Sequence, residues 1–242
     1  MMIFEFKKIR KSAIPIILIF FNLVGTSLGT MMFALNRNYL VDGTEASILW
    51  GQTVFYASQI FTPILIGTIC SISCQFEENN KNWQRLLTIP IKPNRIILTK
   101  IASLSVVMAI SQLLLLFFYV LSAVLLKVSF VGFLPDFLLW SITGWLATIV
   151  IVTIQIFINI RLKNFAVPIL ISAILAMAGL MTLFIGNSVF TIFPYAQVAV
   201  GLRARALVPF TLPELSLFLG LNVIYIILFY GLAVSQLKKR FI

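Results

Sequence analysis

Residues 77–100 read EENNKNWQRLLTIPIKPNRIILTK, a polar interval between two uncharged runs, 46–76 and 101–126. Either run exceeds the ~20 residues that a helix rising 1.5 Å per residue needs to cross ~30 Å of hydrocarbon. Further uncharged intervals of that order occupy 12–36, 137–160, 164–202 and 215–237. The whole chain is 61% hydrophobic and only 10% charged, against roughly a quarter charged in a soluble domain. The intervals are continuous and rich in Leu, Ile and Phe rather than alternating, so helices, and not barrel strands, must satisfy the backbone in lipid. The expected fold is all-α: one transmembrane domain over 1–242, with spans at about 13–35, 50–76, 98–126, 138–160, 165–186 and 215–237.

The net charge of +11 raises the question of a nucleic acid or a membrane surface. Six spans with both termini inside leave Arg37, Lys127, Arg203 and Arg205 outside and the other fourteen cations inside. That is the positive-inside pattern, and no RNA-binding motif accompanies it, so nucleic acid is not needed. The first span follows Lys7, Lys8, Arg10 and Lys11 but has no A-x-A site behind it, which favours an uncleaved helix over a signal peptide. Residues 2–12, MIFEFKKIRKS, place Phe6, Ile9 and Ala13 on one face. They suit an interfacial helix with Pro15 bending the chain into the bilayer, or a basic tail that serves topology alone. Between spans five and six the segment NSVFTIFPYAQVAVGLRARALVPFTLPE carries Pro194, Pro209 and Pro213. It is expected to dip into the outer leaflet as short helices, with Phe190, Phe193 and Tyr195 at interface depth.

The chain has no histidine, which removes imidazole-assisted hydrolysis and HExxH metalloproteolysis. Cys70 and Cys74 lie one turn apart with no further ligand, and packing suits them better than zinc or a disulfide. No catalytic residue, resident cofactor or metal is expected. No acidic or basic residue is expected within the hydrocarbon, so a proton relay lacks carriers. No GxxxxGK[ST] occurs, so energy from a nucleotide would have to enter through another subunit. Neutral polar residues do form stripes: Ser141, Gly144, Thr148, Gln155 and Asn159 in span four, and Thr68, Ser71 and Gln75 in span two. Such residues are the ordinary glue of membrane helix packing. The alternative is that Thr148, Gln155, Asn159, Ser71 and Gln75 line a path for an amphipathic substrate.

Within the polar interval Trp83, Leu86 and Leu87 stand at i, i+3 and i+4, an apolar patch rimmed by Lys81, Gln84 and Arg85 and closed by Pro90. A patch of this kind suits insertion into a groove on another protein, and equally a helix lying on lipid headgroups. Lys92, Arg95 and Lys100 would hold the cytoplasmic interface as span three begins.

The order of these features resembles the ABC-2 type permeases of ABC exporters. Glu77, Leu86, Leu87, Pro90 and Lys100 match that family's loop between spans two and three. Many members have Gly-Thr before the leucines, where this chain has Asn82-Trp83-Gln84. That departure, with the L-x-x-P-I stretch, is similar to the permeases of lantibiotic self-immunity transporters. The resemblance implies a non-catalytic subunit in the plasma membrane of a Gram-positive bacterium, paired with a second permease, identical or homologous. Two copies of a cytoplasmic ATPase would bind ATP and Mg beneath the pair. Glu77, Trp83, Arg85, Leu86, Leu87 and Pro90 would form the coupling helix, and the cargo would be a cationic amphiphilic antimicrobial peptide. Export of another amphiphile (a drug, a lipid or a secreted bacteriocin) and a non-transport membrane scaffold are the competing readings.

Overall fold

The computed structural model describes residues 2–41, 43–78, 83 and 92–241. Among them no strand occurs, and six helices are long and apolar enough to cross a membrane. A short helix, Met2–Lys11, lies ahead of them and ends where Ser12 Oγ donates to the carbonyl of Ile9 and receives the Ile14 amide. Span one is Ile14–Asn36, with Pro15 in its first turn, where a missing N–H costs nothing. Span two runs over Glu45–Glu78, span three over Pro93–Leu125, span four over Leu134–Leu162, span five over Ala166–Ile185 and span six over Leu212–Phe241. Spans two and three run past the uncharged intervals to take in Glu77 and Lys100, which the bundle buries, whereas Arg161 of span four and Glu214, Lys238 and Lys239 of span six stay exposed.

Span two is the centre of the bundle, with 72% of its apolar stretch buried against 22% for span six. Span one packs on it through Gly25 and Gly29, a small-xxx-small pair. A Cβ on Gly29 would stand 2.4 Å from the carbonyl oxygen of Gln52, and one on Gly25 2.9 Å from Cα of Ala57. Only hydrogen at these positions lets the two backbones come so close. Span one is also joined to span three by two hydrogen bonds, from Asn22 Nδ2 to Ser111 Oγ (2.8 Å) and from Thr30 Oγ1 to Ser122 Oγ (2.9 Å).

Span two is not a uniform α-helix. Ala57–Phe61 forms a π-helical turn between Glu45–Tyr56 and Thr62–Glu78. Pro63 explains its position: a proline inside a helix has no N–H for the preceding turn, and its ring crowds the carbonyl four residues back. The wider turn relieves that crowding, and the carbonyl of Pro63 accepts the Ser172 hydroxyl of span five at 2.6 Å.

After span five the chain forms three short helices, Asn187–Ile192, Pro194–Ala196 and Gln197–Gly201. The last docks on spans two and four. Trp50 Nε1 donates to the carbonyl of Leu202 at 3.0 Å and Thr143 Oγ1 to that of Gly201 at 2.6 Å. Trp50 itself stacks on Phe137 with ring centroids 4.5 Å apart, and Tyr119 meets both rings edge-on. Tyr195 differs from its expected interfacial position. It is buried, and its hydroxyl accepts Gln155 Nε2 at 2.8 Å, about two turns short of the end of span four. A phenol enclosed by helices needs a polar partner, and Gln155 supplies one within the bundle.

Candidate functional site

The first helix, the last turns of span two and the first turns of span three converge at one end of the bundle. In the first helix Glu5 and Lys8 are three residues apart and therefore share a face. Glu77 closes span two, and Lys100 stands two turns into span three. Together they make a closed ring of alternating sign. Lys8 Nζ contacts Glu5 Oε1 at 3.3 Å and Glu77 Oε1 at 2.5 Å; Lys100 Nζ contacts Glu5 Oε2 at 3.1 Å and Glu77 Oε1 at 3.7 Å. Lys100 also donates to Ser73 Oγ at 3.0 Å and to the Ser73 carbonyl at 3.2 Å. With Glu5, that occupies all three ammonium hydrogens.

The Lys100 side chain is 2% exposed, that of Glu77 1% and that of Glu5 7%, while Lys8 is half-open to solvent. Two positive and two negative charges balance inside the ring, the condition under which buried charge is tolerated. Burial alone would raise the Glu5 carboxyl, but Lys100 and Lys8 outweigh it and hold the group below its ordinary value. The indole of Trp83 covers the ring, with Lys100 Nζ 5.9 Å from its centroid, at the limit of a cation–π contact.

This geometry changes the reading of the polar interval. Trp83 is 1% exposed within the chain, so it does not project as the anchor of an outward-facing patch. Lys100 offers a full charge to the indole π face at the limit of contact. Arg85, Leu86, Leu87 and Pro90 lie outside the described residues, as do Lys81 and Gln84. Lys100, expected to hold the interface, is enclosed instead. The ring was missed in the sequence because its members are far apart in the chain. The signals were a single acid, Glu5, within a basic helix and a lysine two turns inside an otherwise apolar one.

The hydroxyls and amides of the polar stripes bond mostly to carbonyls of their own helix, and the buried Ser71 Oγ and Gln155 Oε1 have no hydrogen-bond partner among the described residues. Thr148 donates to the carbonyl of Trp145 (2.6 Å), Asn159 to that of Gln155 (2.8 Å), and Gln155 to Tyr195. Ser71 is buried and Gln75 exposed. Two cavities of about 480 and 470 Å³ are lined by other residues, at the opposite end of the bundle from the ring. Cys70 and Cys74 are free, buried thiols, and no group able to hold a metal ion exists among the described residues.

Residues 1–179 match the family model described as ABC-2 family transporter protein. The chain belongs to the ABC-2 transporter family. The match takes in the first helix, spans one to four and most of span five, and so every member of the charge ring. The three short helices and span six of this ABC-2 protein lie beyond it. No curated protein and no solved structure matches the chain. ABC-2 membrane proteins are in general the non-catalytic transport subunits that associate with an ABC ATPase, consistent with a sequence that holds no P-loop.

Proposed function

We propose that the chain is the permease subunit of an ABC exporter that removes a lantibiotic-type antimicrobial peptide from the cell membrane and so confers immunity or resistance. The observation that carries the permease role is the charge ring. Residues 79–91 connect span two, which ends at Glu78, to span three, and the ends of both spans are fastened to each other and to the first helix. A displacement of this connection by a cytoplasmic ATPase would therefore move the ends of two spans and the first helix as one body. Two ATPase copies, holding ATP and Mg, and a second permease, identical or homologous, complete the transporter.

The reading of both termini as cytoplasmic rests on the distribution of Lys and Arg, and that of a Gram-positive plasma membrane on the resemblance to immunity permeases alone. The cargo class rests on the resemblance of the Trp83 loop to immunity permeases. A peptide already seated in the bilayer need not pass a charged pathway, in keeping with spans whose enclosed charges, among the described residues, all belong to the ring.

The test is co-expression in a sensitive host. The permease alone should give little protection, and the complete set of subunits should raise the tolerated dose of one lantibiotic class and lower the cell-bound peptide. Blocking ATP hydrolysis in the partner should remove the effect with every subunit still in the membrane. Protection that persists in the ATPase-dead complex would mean sequestration rather than transport, and equal loss of unrelated amphiphiles would mean a broad exporter.

A further inference from the structure

The end of the bundle opposite the charge ring holds a cavity of about 480 Å³, within the ~300–1,000 Å³ range of small-ligand sites. It lies between the end of span five at Ile185 and the start of span six at Leu212, the depth at which lipid headgroups meet span ends. Phe190, Phe210 and Leu217 form its apolar walls, and Asn187, Ser188 and Thr191 give it a polar rim.

Two arginines line it, and their situations differ. Arg203 is fully occupied: Nη1 pairs with Glu214 Oε2 at 3.2 Å, Nε donates to the carbonyl of Val208 at 2.7 Å, and the guanidinium lies 4.3 Å over the Phe210 ring. Arg205 is exposed and has no ion pair among the described residues. The lining charges Arg203, Glu214 and Arg205 thus sum to one uncompensated cation.

The backbone that presents Arg205 is itself constrained. Arg203 and Leu207, on either side of it, have φ of +51° and +54°, a left-handed conformation that side chains other than glycine adopt at a cost. The contacts of Arg203 hold the loop in that form. Strain of this kind persists where the surroundings over-determine it, and here it keeps an unpaired guanidinium at the mouth of an apolar cavity.

We propose that this cavity binds the phosphate headgroup of an anionic membrane lipid, with Arg205 meeting the phosphate and the Phe190, Phe210 and Leu217 walls receiving the start of the acyl chains. Guanidinium matches phosphate oxygens in a planar, two-pronged fashion, and the Ser188 hydroxyl and Asn187 amide of the rim can donate to the remaining oxygens or to a glycerol, the Thr191 hydroxyl being taken up by the Asn187 carbonyl. A cationic peptide is disfavoured by the same uncompensated charge, so the site is distinct from that of the proposed cargo. The assignment needs neither the ATPase nor the cargo to be as proposed.

A groove of about 470 Å³ on the other side of the same loop, between Ile48 and Phe55 of span two and Met32 of span one, also reaches Arg205. Filling each space separately distinguishes the two. The experiment is native mass spectrometry of the delipidated, purified protein titrated with phosphatidylglycerol or phosphatidylcholine. Wild type should retain phosphatidylglycerol in preference. Arg205→Gln should weaken that retention about fivefold, whereas Lys127→Gln, which alters another exposed cation on a different loop, should not. Leu217→Trp should reduce binding and Ile48→Trp should leave it. Equal retention of both lipids, no effect of Arg205→Gln, or loss with Ile48→Trp but not Leu217→Trp would overturn the proposal. Competition by millimolar inorganic phosphate with no dependence on acyl chains would also overturn it, as a site for the free anion.

Discussion

Replacing Lys100 with Met removes the ammonium that lies within 3.7 Å of both Glu5 and Glu77 and keeps nearly the same side-chain volume. Two enclosed carboxylates are then left with one partner, Lys8, and the ring carries a net negative charge. Breaking a buried ion pair by deleting one member costs ~3–5 kcal/mol, because the remaining charge has no water; a tenfold change in an equilibrium corresponds to ~1.4 kcal/mol. The double variant Lys100→Met/Glu5→Gln restores neutrality as a Glu77–Lys8 pair. It should recover at least ~1.5 kcal/mol of the loss, a coupling expected for groups in direct contact. Equilibrium unfolding in mixed micelles, followed by the fluorescence of Trp83 against a Trp83→Phe background, would measure both. If the double variant is as unstable as Lys100→Met, the charge balance does not hold these helices together. If Lys100→Met lies within ~1 kcal/mol of wild type, the ring contributes little and the coupling route through it is wrong.

Three further outcomes follow from the same geometry. The Glu5 carboxyl is held below its ordinary value near 4.5, so the stability it supplies is present above that value and is lost as pH falls through the lower folded-state value. Proteolysis at the basic residues of Met2–Lys11 should therefore accelerate only below about pH 4.5, and Glu5→Gln should make it fast at every pH; a wild-type rate without acid dependence would contradict this. Trp83→Asp should lower the melting temperature of the isolated permease before any ATPase is added, since the indole is enclosed by its own chain, and an unchanged melting temperature would place the ring on the outside. In a background free of Cys70 and Cys74, a cysteine at Asn187 should react with an impermeant thiol reagent on intact cells and one at Lys163 should not; labelling at Lys163 from outside would reverse the orientation.

The spans were legible because lipid leaves no alternative to an apolar helix of fixed minimum length, and six runs met that length. The enclosure of charge was not. Hydropathy treats Glu77 and Lys100 as boundaries of their spans, whereas three helix ends converging on one point let four charges neutralise one another inside. The stripe of Thr148, Gln155 and Asn159 was visible as a periodicity, and Thr148 and Asn159 bond locally to carbonyls of their own helix, but the partner of Gln155 depends on which neighbour it meets. Gln155 finds Tyr195, forty positions further along the chain, and nothing in local sequence indicates that. Arg203 and Arg205 look alike in the sequence and differ because Glu214, the Val208 carbonyl and the Phe210 ring all fold onto the first of them.

The π turn at Ala57–Phe61 fixes the length of span two. Such a turn is in effect one extra residue accommodated within a helix, and each residue of an α-helix advances the facing direction by about 100°. The segment before the turn places Trp50 against Phe137, and the segment after it places Glu77 against Lys8. Deleting one residue from the α-helical stretches on either side of the turn would rotate one half by that angle relative to the other and detach either the aromatic stack or the charge ring, whereas a deletion within the turn would leave a plain α-helix with both contacts in register. Insertions and deletions should therefore be excluded from 51–56 and 62–76, and a single deletion should be tolerated only at the π turn, the one place where residue count can change without turning the helix.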